Sequence, residues 1–296
     1  MLKERRLGEM KVRRLNMKRF VLIFTVLALL YSGDEVAFAK KKTLGGAHNG
    51  CVGLNYHRIR EDNWVDRLLA IFSSSKELKI YSVTNTQFES HIKWLKDQDA
   101  HFVTLDELIK YKEKKDFPNK CVWVNFDDMD ESIYQNAFPI IKKYNIPATG
   151  FVITGEVGAK DFHNINLSPK SELKEMYDSG LWEFASHTDN VHTMKKTTSM
   201  LIKRAEKGDV SSDIENSVKY IDQNLDGNVE ALAYPYGQVN DKVVEQLKKE
   251  TSIKYGFTLE EKAITPKDNN YYIPRVMVSD NAFNRLVKNW KGFNHG

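Results

Sequence analysis

Cysteine is nearly absent: Cys51 and Cys121 are the only two among 296 residues. Two thiols cannot build the disulfide framework of a small secreted domain, so the fold must rest on its apolar core. Internal repeats and low-complexity tracts are also missing, and no second linker interrupts the chain. Net charge is missing from most of the molecule. Residues 1–39 hold eight Lys or Arg against four Asp or Glu, and the other 257 residues hold 36 of each sign. The formal charge of +4 therefore belongs to the N-terminal segment and gives no support to nucleic-acid binding by the folded part. What is present suits a globular protein: 41% hydrophobic and 11% aromatic residues.

The N-terminal segment reads as an export signal over residues 1–39. Lys18 and Arg19 precede an apolar run from Phe20 to Tyr31, and Ala37-Phe38-Ala39 forms a small-x-small cleavage pattern before Lys40. The run is short for a bilayer-spanning helix, although an uncleaved anchor is the alternative. Met17 is a second candidate start that leaves a more compact basic region. Either way, the domain is expected outside the cytoplasm, extracellular or associated with the cell surface. Residues 40–50 (KKKTLGGAHNG) are expected as a polar linker and 51–296 as one domain. An oxidising location permits a Cys51–Cys121 bridge. Two reduced, buried thiols are the equal alternative, since strand geometry restricts bridging.

Beyond residue 50, short apolar runs alternate with amphipathic segments. The expected strands are Cys51–Tyr56, Cys121–Phe126, Thr149–Ile153, Trp182–Ala185, Ala231–Ala233 and Tyr255–Phe257. Helices are expected over 64–72, 84–96 and 104–111, the last opened by a Thr104/Glu107 capping box. Further helices are expected over 131–144, from Ser168-Pro169 to Gly180, and over 211–225, 239–249 and 282–290. This alternation implies an α/β fold, a (β/α) barrel that is distorted or incomplete. In such barrels chemistry sits at the C-terminal strand ends.

Four polar clusters fall at those ends. Asp127 and Asp128 follow Cys121–Phe126; adjacent carboxylates can divide labour, one holding a metal while the other takes a proton from water. By itself the pair also fits a helix N-cap with a solvated neighbour. His187 and His192 follow Trp182–Ala185, and a five-residue spacing implies a loop rather than a helical pair. Two imidazoles and a carboxylate would leave coordination positions open for water and substrate. Tyr234-Pro235-Tyr236-Gly237 could aim a backbone N–H at an oxyanion, or be an ordinary proline turn. His57, after the first strand, could protonate a leaving amine or simply sit hydrogen-bonded at the rim.

Together the clusters resemble the NodB-type polysaccharide deacetylases, carbohydrate esterase family 4. Asn125-Phe126-Asp127-Asp128 is similar to that family's T-F-D-D motif, with Asn in place of Thr. The His187/His192 pair is similar to H-S/T-x-x-H with one residue added. Tyr234-Pro235-Tyr236-Gly237 is similar to R-x-P-Y, with Ala233 where Arg is usual, and the family's L-x-H is absent. A leading Tyr56-His57, the FDDMDE run, WEFASH and YPYG resemble the biofilm-polymer branch, in which the acid histidine lies near the N-terminus. LNYHRIR, FSSSKELKIYSV, QFESHIKWLK, IPATGFVITG and DNNYYIPRVMVSDNAF extend that resemblance over residues 51–293.

The resemblance implies metal-dependent removal of acetyl groups from extracellular poly-β-1,6-N-acetyl-D-glucosamine. It assigns a divalent ion, Zn²⁺ first, to Asp128, His187 and His192, and makes Asp127 the base. It gives the Tyr236 backbone N–H to the oxyanion and His57 to the leaving amine. Arg275 would orient Asp127, or form an equally expected structural ion pair. The apolar cluster at 64–72 could rest on a membrane or cell surface, or pack in the core. Deacetylation of chitin or peptidoglycan fragments is the enzymatic alternative; a non-catalytic glycan-binding module is the other.

Overall fold

The computed structural model describes residues 43–62 and 81–294; the signal segment and the 64–72 cluster lie outside them. Twelve strands are numbered in chain order: β1 (Cys51–Tyr56), β2 (Arg58–Arg60), β3 (Ser82–Thr84), β4 (His101–Phe102), β5 (Cys121–Phe126), β6 (Ala148–Val152), β7 (Trp182–Ser186), β8 (Met194–Lys195), β9 (Thr198–Ser199), β10 (Asn228–Ala233), β11 (Tyr255–Phe257) and β12 (Val276–Met277). Seven of them run parallel in the order β11-β10-β7-β6-β5-β1-β12. Every residue of β1 and β5 is buried, as expected for strands covered on both faces.

The expected barrel is thus present, with short β4 pairing beside β5, but among the described residues no regular strand lies between β11 and β12. The gap between β11 and β12 is spanned by irregular backbone. Ile273 N–H donates to Gly256 O at 2.9 Å, Thr258 N–H to Ile273 O at 2.8 Å, and Glu260 N–H to Arg275 O at 2.9 Å. Among the described residues, no helix is long and apolar enough to cross a membrane.

Most elements form where the sequence places them, and the exceptions have local causes. The expected helix 131–144 is split into a wide π turn, Ile133–Ala137, and an α-helix, Phe138–Tyr144. Pro139 lacks the N–H that would continue the four-residue ladder, so the preceding turn widens. The expected helix 282–290 is likewise a short α turn, Asp280–Ala282, capped by Ser279 and followed by a π turn, Phe283–Val287. Ser168 does not cap its helix; Pro169 occupies the cap position, and the helix runs Lys170–Asp178. Residues 43–50, read as linker, pack against the domain. Leu44 is 1% exposed, and Trp290 Nε1 donates to Gly45 O at 2.7 Å.

Cys51 and Cys121 lie directly opposite each other in the β1–β5 register and are disulfide-bonded, with Cα atoms 4.5 Å apart. The bridge ties the N-terminal ends of two central strands, the end opposite the polar clusters. It closes a loop of 70 residues. A Cys51→Ser/Cys121→Ser variant should lose about 2–4 kcal/mol. Thermal unfolding of the two proteins would show this as a Tm lower by roughly 5–15 °C.

Under the same end, the Glu183 carboxylate of β7 accepts the Leu105 N–H, at the start of the helix Leu105–Lys114. Burial pushes the Glu183 carboxyl up to about 7, despite that bond, and Asp106 nearby adds to the rise. The folded state therefore holds this proton more tightly than the unfolded chain, whose Glu titrates near 4.5. The associated stability is full below about pH 4.5 and is lost as pH rises to about 7. A Glu183→Gln variant keeps an acceptor for Leu105 and has no charge to bury. Its Tm advantage over the parent should grow from pH 4.5 to 7 and then level off.

Candidate active site

Four strand ends, those of β1, β5, β7 and β10, and one seam segment converge. At the end of β5, Asp127 N–H donates to Tyr56 O at 3.0 Å, which fixes this end against β1. The chain then turns through two left-handed residues, Asp128 (φ 68°) and Met129 (φ 60°). Such conformations are costly for non-glycine residues and persist only where surroundings hold them. Here the Met129 N–H donates to Asp127 O at 2.8 Å, and Met129 O accepts from Ser168 N–H at 2.9 Å. The two adjacent carboxylates go to different partners.

Asp127 meets Arg275. The guanidinium donates Nη1–H to Oδ1 at 2.6 Å and Nη2–H to Oδ2 at 2.9 Å. Arg275 is fully buried, lies over the Phe151 and Phe257 rings, and also bonds Asn125 Oδ1 at 3.0 Å and Thr258 O at 3.3 Å. Burial alone would raise the Asp127 carboxyl; the Arg275 charge first, then His187, the Arg275 hydrogen bonds and His57, together outweigh it and hold the group below its usual range. Sequence reading left Arg275 open between an orienting and a purely structural ion pair, and the structure makes the pair with Asp127.

Asp128 meets the histidines. Its Oδ1 lies 3.4 Å from His187 Nε2 and 3.2 Å from His192 Nε2, and the two Nε2 atoms are 3.1 Å apart. His187 Nδ1 donates to Ala233 O at 2.8 Å, so its Nε2 presents a lone pair to the cluster. The acceptor is the backbone carbonyl of Ala233, the position where the resembled motif carries Arg. Asp128 Oδ1 is buried without a hydrogen-bond donor. With the proton of His192 on Nδ1, all three atoms offer lone pairs to one point, an arrangement a cation among them satisfies. Their separations match the roughly 3.3 Å edge of a tetrahedral site with 2.0–2.1 Å bonds. These three residues are the metal-ligand group found among the described residues. The donor set therefore fits a divalent ion.

The histidine loop owes its shape to the helix Ser211–Leu225. Both oxygens of buried Asp213 accept loop N–H groups, from Asp189 at 2.9 Å and Asn190 at 2.8 Å. Ser217, one turn on, bonds Ser186, whose Oγ accepts the Thr188 N–H at 3.1 Å. Thr188 is left-handed (φ 76°), which makes room for the extra residue between the histidines.

His57 stands at the end of β1, with Nε2 3.9 Å from Asp127 Oδ2 and its ring edge-on to Tyr81. Burial lowers its pKa, and the Asp127 and Asp128 charges oppose that shift. Tyr236 lies in the short turn Pro235–Gly237 with φ 60°, its ring 4.9 Å from that of His192. The next residue must be glycine, since a Cβ at Gly237 (φ 67°) would lie 2.8 Å from Leu259.

All seven residues singled out from the sequence thus come together. A cavity of about 310 Å³ is lined by His57, Asp128, His187, His192 and Tyr236. Its remaining wall is formed by Arg58, which belongs to the same Asn55–Arg58 cluster as His57, and by Tyr81 and the segment Phe162–Ile165, which sequence reading missed, as it missed Asp213. The only signal for that segment was a polar gap after Thr149–Ile153 containing Phe162 and His163; for Asp213 it was an acid in a first helical turn.

Comparison with known proteins bears on what the arrangement does. Residues 114–255 match the family model described as polysaccharide deacetylase. The chain is 48% identical over 283 residues to the poly-β-1,6-N-acetyl-D-glucosamine N-deacetylase of Staphylococcus aureus (strain N315), covering 93% of this chain and 97% of that protein. Identity to the Staphylococcus epidermidis protein of the same name is 48% over 273 residues, covering 92% and 94%. Among solved structures, IcaB from Ammonifex degensii matches with a TM-score of 0.70 at 28% identity, over 84% of this chain and 99% of that one. The deacetylase PplD of Streptococcus pyogenes, solved with acetate, matches with a TM-score of 0.63 at 25% identity, over 78% and 93%. A parallel barrel with Asp128, His187 and His192 at its strand ends, and near-full-length relatives of this similarity, make the chain a member of the polysaccharide deacetylase family.

Proposed function

We propose that the protein removes acetyl groups from poly-β-1,6-N-acetyl-D-glucosamine outside the cytoplasm, leaving a partly cationic polymer that adheres to anionic cell surfaces. One observation carries the chemistry: the Asp128/His187/His192 triangle lies beside an Asp127 whose ionised form Arg275 secures. The named relatives support the polymer. The basic, apolar and small-residue pattern before residue 40 supports export, as does the disulfide, which persists in oxidising compartments.

Asp128, His187 and His192 would hold a divalent ion, Zn²⁺ first, which would supply Lewis acidity toward the acetyl carbonyl and lower the pKa of water. Asp127 takes the proton of the attacking water as its oxygen adds to the carbonyl carbon. Arg275 fixes both Asp127 oxygens, so the base enters each cycle ionised and oriented. The backbone N–H of Tyr236 is the donor we assign to the oxyanion. His57 gives its proton to the nitrogen as the C–N bond breaks, releasing acetate and a glucosamine unit. The cycle closes when Asp127 returns its proton to solvent and His57 takes one up.

Acetate release from the purified polymer by residues 40–296 tests this reading. Chelation should abolish release and Zn²⁺ should restore it. Asp127→Asn should retain bound metal while kcat falls by about 10²–10⁴. Metal-dependent release from chitin or peptidoglycan fragments alone would keep the chemistry and reject the polymer; no release from any of them would favour a binding module.

Metal affinity offers a second check, through the loop. Asp213→Ala leaves two loop N–H groups without their acceptor and should weaken Zn²⁺ binding about 10–100-fold, as measured by chelator competition.

A further inference from the structure

The acid–base and metal-ligand groups of the cavity come from strand ends, but Phe162, His163, Asn164 and Ile165 line it from a loop that carries no carboxylate toward it. This loop is held firmly. Ile165 N–H donates to Phe162 O at 3.0 Å, Leu167 N–H to Ala159 O at 2.9 Å, and Asp161 N–H to Asn166 Oδ1 at 3.1 Å. It is also stitched to the turn after the catalytic strand: Glu131 N–H donates to Asn166 O and Ser168 N–H to Met129 O, both at 2.9 Å. Three of its residues, Asp161, His163 and Asn164, are left-handed, with φ of 63°, 48° and 66°. That conformation is costly even for Asp, His and Asn, and the stitching holds it in place. The turn projects its tip: Phe162 is half-buried against Ile153, Ile165 and Leu167, while His163 and Asn164 are exposed. The Phe162 ring lies 6.3 Å from that of His192.

We propose that the Phe162–Ile165 turn is the sugar-recognition wall of the cleft, with the Phe162 ring as a platform for the C–H face of an N-acetylhexosamine unit and the Asn164 amide bonding its hydroxyls. This rests on the function proposed above and adds the part of the substrate that the reacting groups do not touch. The physical fit is specific. A pyranose ring has an apolar face and a polar edge, and the turn pairs one pre-set apolar ring with an adjacent donor–acceptor amide. Because the loop is already ordered, little conformational entropy is lost when a sugar settles on it.

The test compares two substrates on the metal-loaded protein: an oligomer of β-1,6-N-acetylglucosamine and 4-nitrophenyl acetate, which has an acetyl group but no sugar. For Phe162→Ala, the ratio of oligomer kcat/KM to ester kcat/KM should fall about tenfold, chiefly through oligomer KM. Phe162→Tyr should restore the ratio, and Asn164→Ala should lower it. An unchanged ratio for both Phe162→Ala and Asn164→Ala, whether activity stays or falls equally on both substrates, would overturn the proposal and leave the loop as a brace for the Asp128 turn. A parent protein that hydrolyses the ester but leaves the oligomer intact would instead reject the proposed function, and the sugar wall with it.

Discussion

The buried pair of Asp127 and Arg275 is the constraint around which the catalytic end is organised. A carboxylate that is 1% exposed is tolerable only with an opposite charge and full hydrogen bonding, and the guanidinium supplies both in two-pronged form. Its cost is spread over the barrel interior. Phe151 and Phe257 flank the guanidinium, Asn125 and Thr258 take its remaining donors, and Asn55 bonds Asn125 at 3.0 Å. Arg275 sits in the segment that spans the irregular seam between β11 and β12, so the same residue that pairs with Asp127 also stands where the described strands leave a gap.

That arrangement explains a departure from the family pattern. Where the resembled motif has Arg, this chain has Ala233, and the arginine that reaches the carboxylate is Arg275; the backbone carbonyl of residue 233, which any residue there would offer, accepts from His187 Nδ1. The carbonyl fixes the tautomer that turns Nε2 toward the metal-ligand triangle. Guanidinium and carbonyl thus have separate origins, one from the seam and one from the end of β10. The leading His57 follows the same logic. β1 lies between β5 and β12, so a histidine early in the chain arrives beside a carboxylate seventy residues later.

Much of this was legible in the sequence because strong local signals coincided. CVWVNF could be little other than a buried strand, and residues just past such a strand face the chemistry in a parallel barrel. The capping box at Thr104 and Glu107 fixed one helix start for a local reason, and the structure adds a second box at Thr84 and Gln87. Where the reading failed, the cause was a backbone effect without periodicity. Pro139 widened a turn that hydrophobic spacing presented as continuous helix. Leu44 and the glycines beside it read as a polar linker, yet a single apolar side chain was enough to seat that strand of chain on the core. The state of the cysteines depended on register, which places Cys51 and Cys121 directly opposite; no composition argument decides that.

The parts that were not legible share one property: they position rather than react. Asp213 lies twenty-one residues beyond His192, on a helix with an ordinary amphipathic pattern, and only the fold turns it into the acceptor for two loop N–H groups. The Phe162–Ile165 turn has no regular element at all, and its shape comes from backbone bonds to residues 129 and 131. Catalytic side chains are few and chemically conspicuous, so a sequence announces them. Supporting groups act through the backbone, which every residue has, so nothing in their identity marks them out. In this protein the reacting groups fix which bond can be broken. The unmarked loop beside them forms part of the wall of the same cavity.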